Sequence, residues 1–326
     1  MDFDSANPHD ALFRAAFADP ERAADLLRGL LPPEASATID WGTMQRLPES
    51  FVDESLRDRQ ADLVFSVAIA GRSSLVYVLF EHKSAPDPWV SLQLLRYVVR
   101  LWEVWRRENP DAVTLPPVLL QVLYHGLRPW HGPRTLGQLL DADSLPRWLS
   151  KLQPELSFHL EDLTTRSERQ LRRLRVSVGT LLTLLHLQHL RRAPAGVPLL
   201  IRWRRLYRLM SASQSPGTRQ LLVQLVSYVF YVAPDDPEPV AAALRSIEPI
   251  IREIDMTVAD KLMARGFERG VAQGKAEGKA EGKAEGKAEG KAEGLRNALT
   301  LLLESRFGAL DAAHRDKLMA ADAEAL

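Results

Sequence analysis

The spacing of apolar residues changes along this chain. Over residues 8–31, "PHDALFRAAFADPERAADLLRGLL" sets Leu12, Phe13 and Phe17, then Ala23, Leu26, Leu27 and Leu30, at the three- and four-residue intervals of a helix with one buried face. Pro20 suits the first position of a second helix, with Asp19 as its N-cap and Gly29 and Pro32–Pro33 closing it. Residues 38 to 57 show no clear period and read as a mixed connector. The pattern then shortens and becomes rich in Val, Ile and Phe. "ADLVFSVAI" at 61–69 and "LVYVLFEH" at 75–82 read as two strands, joined by "AGRSS" into a hairpin. A helical period returns in "WVSLQLLRYVVRLWEVWRRE", which predicts a helix over 88–108 with Asp87 as N-cap and Pro88 at its first position. "LPPVLLQVLYHG", 115–126, reads as a buried strand closed by Gly126. Helix, strand, strand, helix, strand in that order predicts an α/β core with a mixed sheet flanked by helices.

Strand signals fade from about residue 135. Segments 136–152, 166–192, 197–213 and 217–232 look helical and amphipathic, so residues 136–260 read as a mainly helical region packed on a core of residues 1–135. Residues 275–294 are five consecutive copies of "KAEG", within glycines spaced by four from Gly266 to Gly294. A period of four drifts by about 40° per repeat on a helix, so these glycines form no fixed stripe. Like charges fall at i,i+4, and each glycine costs about 1 kcal/mol relative to alanine, against the helix preference of Ala, Lys and Glu. Residues 261–294 therefore read as a spacer, and residues 295–326 as a short helical tail suited to self-association into a homo-oligomer.

Composition narrows the choices. The 326 residues are 46% hydrophobic and 26% charged, which is ordinary for a globular protein, and long enough for a substantial core. The lack of cysteine rules out a disulfide framework or a thiolate metal site. No signal-peptide pattern opens the chain and no apolar run approaches the roughly 18 residues of a membrane span, so a soluble, cytoplasmic protein is expected. Formal net charge is zero, but unevenly spread. Between Arg166 and Arg208 lie eleven arginines and one acid, Glu168, a net +10 that leaves the remainder at −10. Such a stretch can follow a phosphate backbone, or be a solvated face, or dock on the acidic remainder.

The candidate chemistry sits at the end of the second strand. Residues two apart on a strand share a face, so Glu81 and Lys83 project together and His82 projects away. A hairpin folded about Gly71–Ser73 brings Asp62 near residue 82, where it can converge with Glu81. Two carboxylates with only oxygen ligands suit Mg2+, and an adjacent lysine can orient a water and stabilise developing negative charge. Alone, E-x-K is weak. It recurs four times in the repeat, as at Glu277/Lys279, and it equally describes a solvated ion pair at a strand end. On the next helix Gln93 and Tyr97 share a face in an apolar stretch, which demands polar partners; the plainer alternative is a core tyrosine and an exposed glutamine. His125 reads as a strand-end histidine bonded to a carbonyl, and His186 and His189 as core or surface residues.

"ADLVFSV" with Asp62, "LVYVLFEHKS" with Glu81 and Lys83, and "LQLLRYVVRLW" with Gln93 and Tyr97 resemble the PD-(D/E)XK nuclease superfamily. "PHDALFRAAF", "SFVDESLRDRQADLVFSV", "VLFEHKSAPDPW" and "PVLLQVLYHG", in that order, resemble the recombination-promoting nuclease (Rpn) family, also called YhgA-like transposases. The resemblance covers roughly residues 8–210 and is specific in the first 130. It implies a restriction-endonuclease-like core and a DNA endonuclease that needs Mg2+, or Mn2+, and is associated with recombination or transposase-like activity. Asp62 and Glu81 would then bind metal, Lys83 would position the attacking water, and Gln93 and Tyr97 would match the helix motif of the RecB-like branch. Many relatives carry Gln at the place of Lys83, so this chain has the fuller pattern. His9-Asp10 matches the family's opening motif, and Asp10 would be a further metal ligand or simply a helix cap or first-turn acid. A non-catalytic DNA-binding or assembly protein that keeps the fold is the competing expectation. A transposase that also joins strands ranks third.

Overall fold

The computed structural model describes residues 7–48, 63–81, 87–140, 146–213, 215–247, 294–295, 297–306 and 308, with 77–81 described through their backbone alone. Residues 1–258 form one compact unit and residues 259–326 another.

Three proline-led helices open the described chain, as expected where a missing N–H costs nothing. Helix α1 spans Pro8–Phe17 behind the cap Asn7, α2 spans Pro20–Leu30 behind Asp19, whose carboxylate accepts from the Arg22 N–H, and α3 is the short Pro33–Ser36. Strands β1 (Ile39–Arg46), β2 (Leu63–Ile69) and β3 (Arg72–Glu81) follow, then α4 (Val90–Glu108) and β4 (Val118–Tyr124). After these come α5 (Arg147–Ser150), β5 (His159–Asp162), α6 (Glu168–Leu171), α7 (Val178–His189), α8 (Val197–Ser211), α9 (Pro216–Val232) and α10 (Pro237–Arg245). The strands form one sheet in the order β1-β2-β3-β4-β5, antiparallel across the first two pairings and parallel across the last two. This is the mixed sheet flanked by helices of a restriction-endonuclease-like core.

Three departures from the sequence pattern have physical causes. The connector expected at 38–57 contains β1. Its pairing with β2 slips between Asp40 and Gln45, so period two is lost. Within that bulge the Thr43 hydroxyl accepts from the Ala68 N–H and donates to the Asp40 carbonyl, at 2.8 and 2.7 Å. The region after residue 135 contributes the four-residue strand β5, too short and too acidic to advertise itself. Segment 166–192 is two helices, not one, and the second is not amphipathic. Residues 182–188 of α7 are all buried, because α1, α2, α8 and α9 pack around it. Several of its polar groups bond to neighbouring elements: the Thr180 hydroxyl donates to Asp25 at 2.6 Å and the Gln188 amide donates to the Leu163 carbonyl at 2.5 Å.

Pleat parity assigns each sheet face. Val64, Leu75, Leu120, Val122 and Tyr124 share a buried cluster with Val90, Leu94, Tyr97, Val98 and Leu101 of α4. Cross-strand partners share a face, so this face holds the even positions of β2 and β4 and the odd positions of β3. His125, just past β4, has the other parity. Its Nδ1–H donates to the Leu187 carbonyl of α7, and its ring meets that of His9 on α1.

In the second unit, residues 294–295 and 297–306 are helical. Gly308 ends the helix at φ 83°, its N–H bonded to the Glu304 carbonyl at 3.1 Å.

Candidate active site

The carboxyl ends of the three parallel strands form one rim. Glu81 of β3 lies beside Tyr124 of β4, and Tyr124 lies beside Asp162 of β5. Position 81 therefore has the parity of the face that α4 covers. Asp62, His82 and Lys83 lie outside the described residues.

The hairpin register differs from the expected one. The turn is Ala70–Gly71, both at positive φ (48° and 75°), the two-residue turn whose twist suits a hairpin. Leu63 pairs with Val78, where a fold about Gly71–Ser73 would have set it against residue 81. The pairing is shifted by three, an odd number, and an odd shift exchanges the faces. Even positions of β2 thus share a face with odd positions of β3.

Helix α4 begins at Val90 with Trp89 as N-cap, two residues later than Pro88 suggested, and Asp87 caps the preceding turn by accepting from the Trp89 N–H at 2.9 Å. Tyr97 lies on the sheet side of the helix, and Gln93, one turn earlier, on the flank of the same stripe. Tyr97 is buried in the cluster with Val64 and Tyr124. Gln93 is not the exposed glutamine of the plainer reading. Both polar atoms of its amide are buried, and neither has a hydrogen-bond partner among the described residues. A buried amide without partners costs free energy that folding alone does not require.

Asp10 is buried in the first turn of α1. Its own N–H donates to Asn7, which is the cap, and the Asn7 amide donates back to its carboxylate. So Asp10 is a first-turn acid and not the cap. Its neighbour His9 hydrogen-bonds the Tyr228 hydroxyl of α9 at 2.9 Å and meets the His125 ring edge-on at 4.9 Å. Helix α1 therefore starts at the rim where β4 ends, on the face opposite α4. Nothing in the sequence signals the pairing of His9 with Tyr228, which are 219 residues apart.

Several other polar groups, at the rim and in the core, have structural partners. Asp162, not foreseen as a site residue, accepts the N–H groups of Trp130 and Thr164, both at 2.8 Å. Buried Glu161 holds Arg166 through two hydrogen bonds of 2.6 and 2.8 Å, which raises the guanidinium's pKa further. His186 is a core residue. Its Nδ1–H donates to the Leu182 carbonyl, the Tyr207 hydroxyl donates to Nε2, and burial pulls its pKa down to about 4. Desolvation likewise lowers His189 and half-buried His159. No group of three or more His, Asp or Glu side chains placed to hold a metal occurs among the described residues. The groups that fit a hard divalent cation are carboxylates and an amide, all oxygen donors: Asp10, the position of Glu81, and the unpartnered Gln93.

No solved structure matches the chain significantly. Among curated proteins it is similar to recombination-promoting nuclease RpnD of Escherichia coli O157:H7, 32% identical over 131 residues, 39% of this chain and 50% of the relative. It is similar to recombination-promoting nuclease RpnA of E. coli K12, 31% identical over 123 residues, 38% of this chain and 41% of the relative. It is also similar to the inactive recombination-promoting nuclease-like protein RpnE of E. coli K12, 30% identical over 161 residues, 49% of this chain and 52% of the relative. The chain thus spans about half the length, or less, of these relatives. The family profile described as "Putative transposase, YhgA-like" matches residues 7–230, more than two thirds of the chain, and the chain belongs to that family.

Proposed function

We propose that this protein is a divalent-cation-dependent DNA endonuclease, with Mg2+ as the working ion and Mn2+ as a substitute, acting in recombination or a transposase-like process. The observation that carries the reading is the register. Position 81 lies on the face that α4 covers, and the first turns of α4 carry Gln93, whose buried amide has no partner among the described residues. The names of RpnD and RpnA, recombination-promoting nucleases, support the reading from outside.

In this reading Asp62 and Glu81 hold the cation, with Asp10 reaching it from α1, and Tyr97 fixes the helix that presents Gln93. The bound ion supplies charge neutralisation at the phosphate and a lowered pKa for a coordinated water. Lys83 positions the attacking water and stabilises charge on the phosphate oxygens. The water oxygen forms a bond to phosphorus and loses its proton to solvent, the bond to the leaving deoxyribose oxygen breaks, and that oxygen takes up a proton from solvent to become a hydroxyl. Cation binding tests the assignment apart from turnover: calorimetric titration with Mn2+ should give a site in wild type that Asp62→Asn or Glu81→Gln weakens at least tenfold. Unchanged binding in both variants would refute the assignment.

A second reading has its own support, since RpnE is named inactive. There the fold is kept for DNA binding or assembly. Salt-dependent DNA binding with no cleavage in Mg2+ or Mn2+ would favour it.

A further inference from the structure

The arginine-rich segment finds no use in the site above. Its single acid, Glu168, is fully engaged. The Glu168 carboxylate accepts from Arg172 of the adjoining turn at 2.7 Å, from the Trp203 indole at 3.3 Å, and from Arg202 at 3.5 Å. These bonds tie α6 to α8. Other members are also spent: Arg166 on Glu161, Arg192 on the Gly126 carbonyl, Arg208 on the Ile247 carbonyl at 3.1 Å.

What is left is cationic and open to solvent. Arg169, Arg173, Arg175 and Arg205 are exposed, and their side chains make no hydrogen bond or ion pair among the described residues. Arg202, Arg204 and Arg208, although bonded to Glu168 and to the Ile201 and Ile247 carbonyls, are exposed on α8 as well, and residues three or four apart on a helix are neighbours, so Arg205 adjoins Arg202 and Arg208 adjoins Arg204 and Arg205. The bonds to Glu168 bring this row beside Arg169 and Arg173. The one acid of the segment, Glu168, is already shared by Arg172, Trp203 and Arg202, so it does not offset the remaining charges. A polyanion with closely spaced charges is the partner that offsets them, and guanidinium groups bind phosphate through paired N–H donors. Helices α6 and α8 pack on α7, which lies against the sheet face opposite α4.

We propose that the exposed arginines of α6, the residues that follow it and α8 form a docking surface for the phosphate backbone of duplex DNA, apart from the α4-covered face that carries Glu81. The proposal rests on the reading of the chain as a DNA-acting protein, and it adds where the duplex is held. Binding here is independent of sequence and of divalent cations, because it uses phosphate charge alone.

The test is fluorescence anisotropy of a labelled duplex with the full chain, without divalent cations, across a salt series. Removing four phosphate contacts in the Arg169→Gln/Arg173→Gln/Arg175→Gln/Arg205→Gln variant should lower affinity at least tenfold at moderate salt, and should flatten the slope of log affinity against log salt by about 3 to 4. The same four positions changed to Lys should bind within a few-fold of wild type, because the charge is kept. Arg106→Gln/Arg107→Gln, at the end of α4, should leave the slope nearly unchanged. Thermal melting of the four-Gln variant should match wild type, since those side chains hold no partner among the described residues. A wild-type slope in that variant overturns the proposal, as does an equal loss in the α4 control. If an acidic part of the chain covers this surface, the four-Gln variant will melt lower with unaltered DNA affinity, which also overturns it. Failure of wild type to cleave DNA in Mg2+ would count against the endonuclease reading without touching these slopes.

Discussion

Gln93→Leu separates a functional amide from a structural one. Gln93 lies in the first turns of α4 with both polar atoms of its amide buried and no partner among the described residues. Each buried polar group left unpaired costs about 1–3 kcal/mol, and leucine fills a similar volume without that cost. Some of the gain is offset where the repacked side chain departs from its best rotamer. The net expectation is that the substitution stabilises the free protein by about 1–2 kcal/mol, which in a unit of this size raises Tm by roughly 2–8 °C. Cleavage should fall at least tenfold. The added stability conferred by Mg2+ on the wild type should shrink as well, because binding to the folded state alone stabilises it. The assay is thermal and urea unfolding followed by circular dichroism, with and without Mg2+, beside a plasmid-cleavage time course. A variant that melts lower than wild type and cleaves normally would show that the amide has a structural partner and no role in the site.

Other expectations follow from the core and the hairpin. His186 has a folded pKa of about 4, below its ordinary 6.5, so the unfolded chain binds the proton more readily between those values. Stability is then fully present above about pH 6.5 and falls by roughly 3 kcal/mol as pH drops toward 4. His186→Gln should remove most of that slope in urea titrations at several pH values, and an unaltered slope would assign it to other groups. Ala70 holds φ 48° in the hairpin turn. Ala70→Asn should raise stability by about 1 kcal/mol, because Asn-Gly suits this turn, and a lower Tm would contradict the strain. Arg166→Met leaves the buried Glu161 carboxylate unpaired and should cost about 2–3 kcal/mol, less than for a fully buried pair because the arginine is one-third exposed. Adding Glu161→Leu should restore most of that loss, and no recovery in the double variant would mean that packing, not charge, sets the cost.

The central hairpin, α4 and β4 were legible because each fills one face with a clean period: Leu94, Tyr97, Val98 and Leu101 on the helix, and Leu120 and Val122 on the strand. Strand β1 was not, since its bulge at Asp40–Gln45 breaks the alternation that marks a strand. Helix α7 misled in another way. Buried on nearly every side, it has no polar stripe, and His186, Thr180 and Thr183 are core residues with hydrogen bonds to protein groups. Of the candidate site, Gln93 was singled out by a polar residue in an apolar stretch, and the structure buries its amide. The register was beyond reach of the sequence, because "AGRSS" allows turns centred at more than one place, and only backbone φ values select Ala70–Gly71. The contact between His9 and Tyr228 joins distant parts of the chain, and no local pattern encodes it.

The most direct test is a plasmid-cleavage assay with Mg2+ on wild type and Lys83→Ala, each with and without a chelator. Wild type should nick or linearise the plasmid, the chelator should stop it, and Lys83→Ala should be slower by at least a hundredfold while binding the duplex as wild type does. Equal cleavage by both proteins, or cleavage that persists in the chelator, would contradict the assignment of the site.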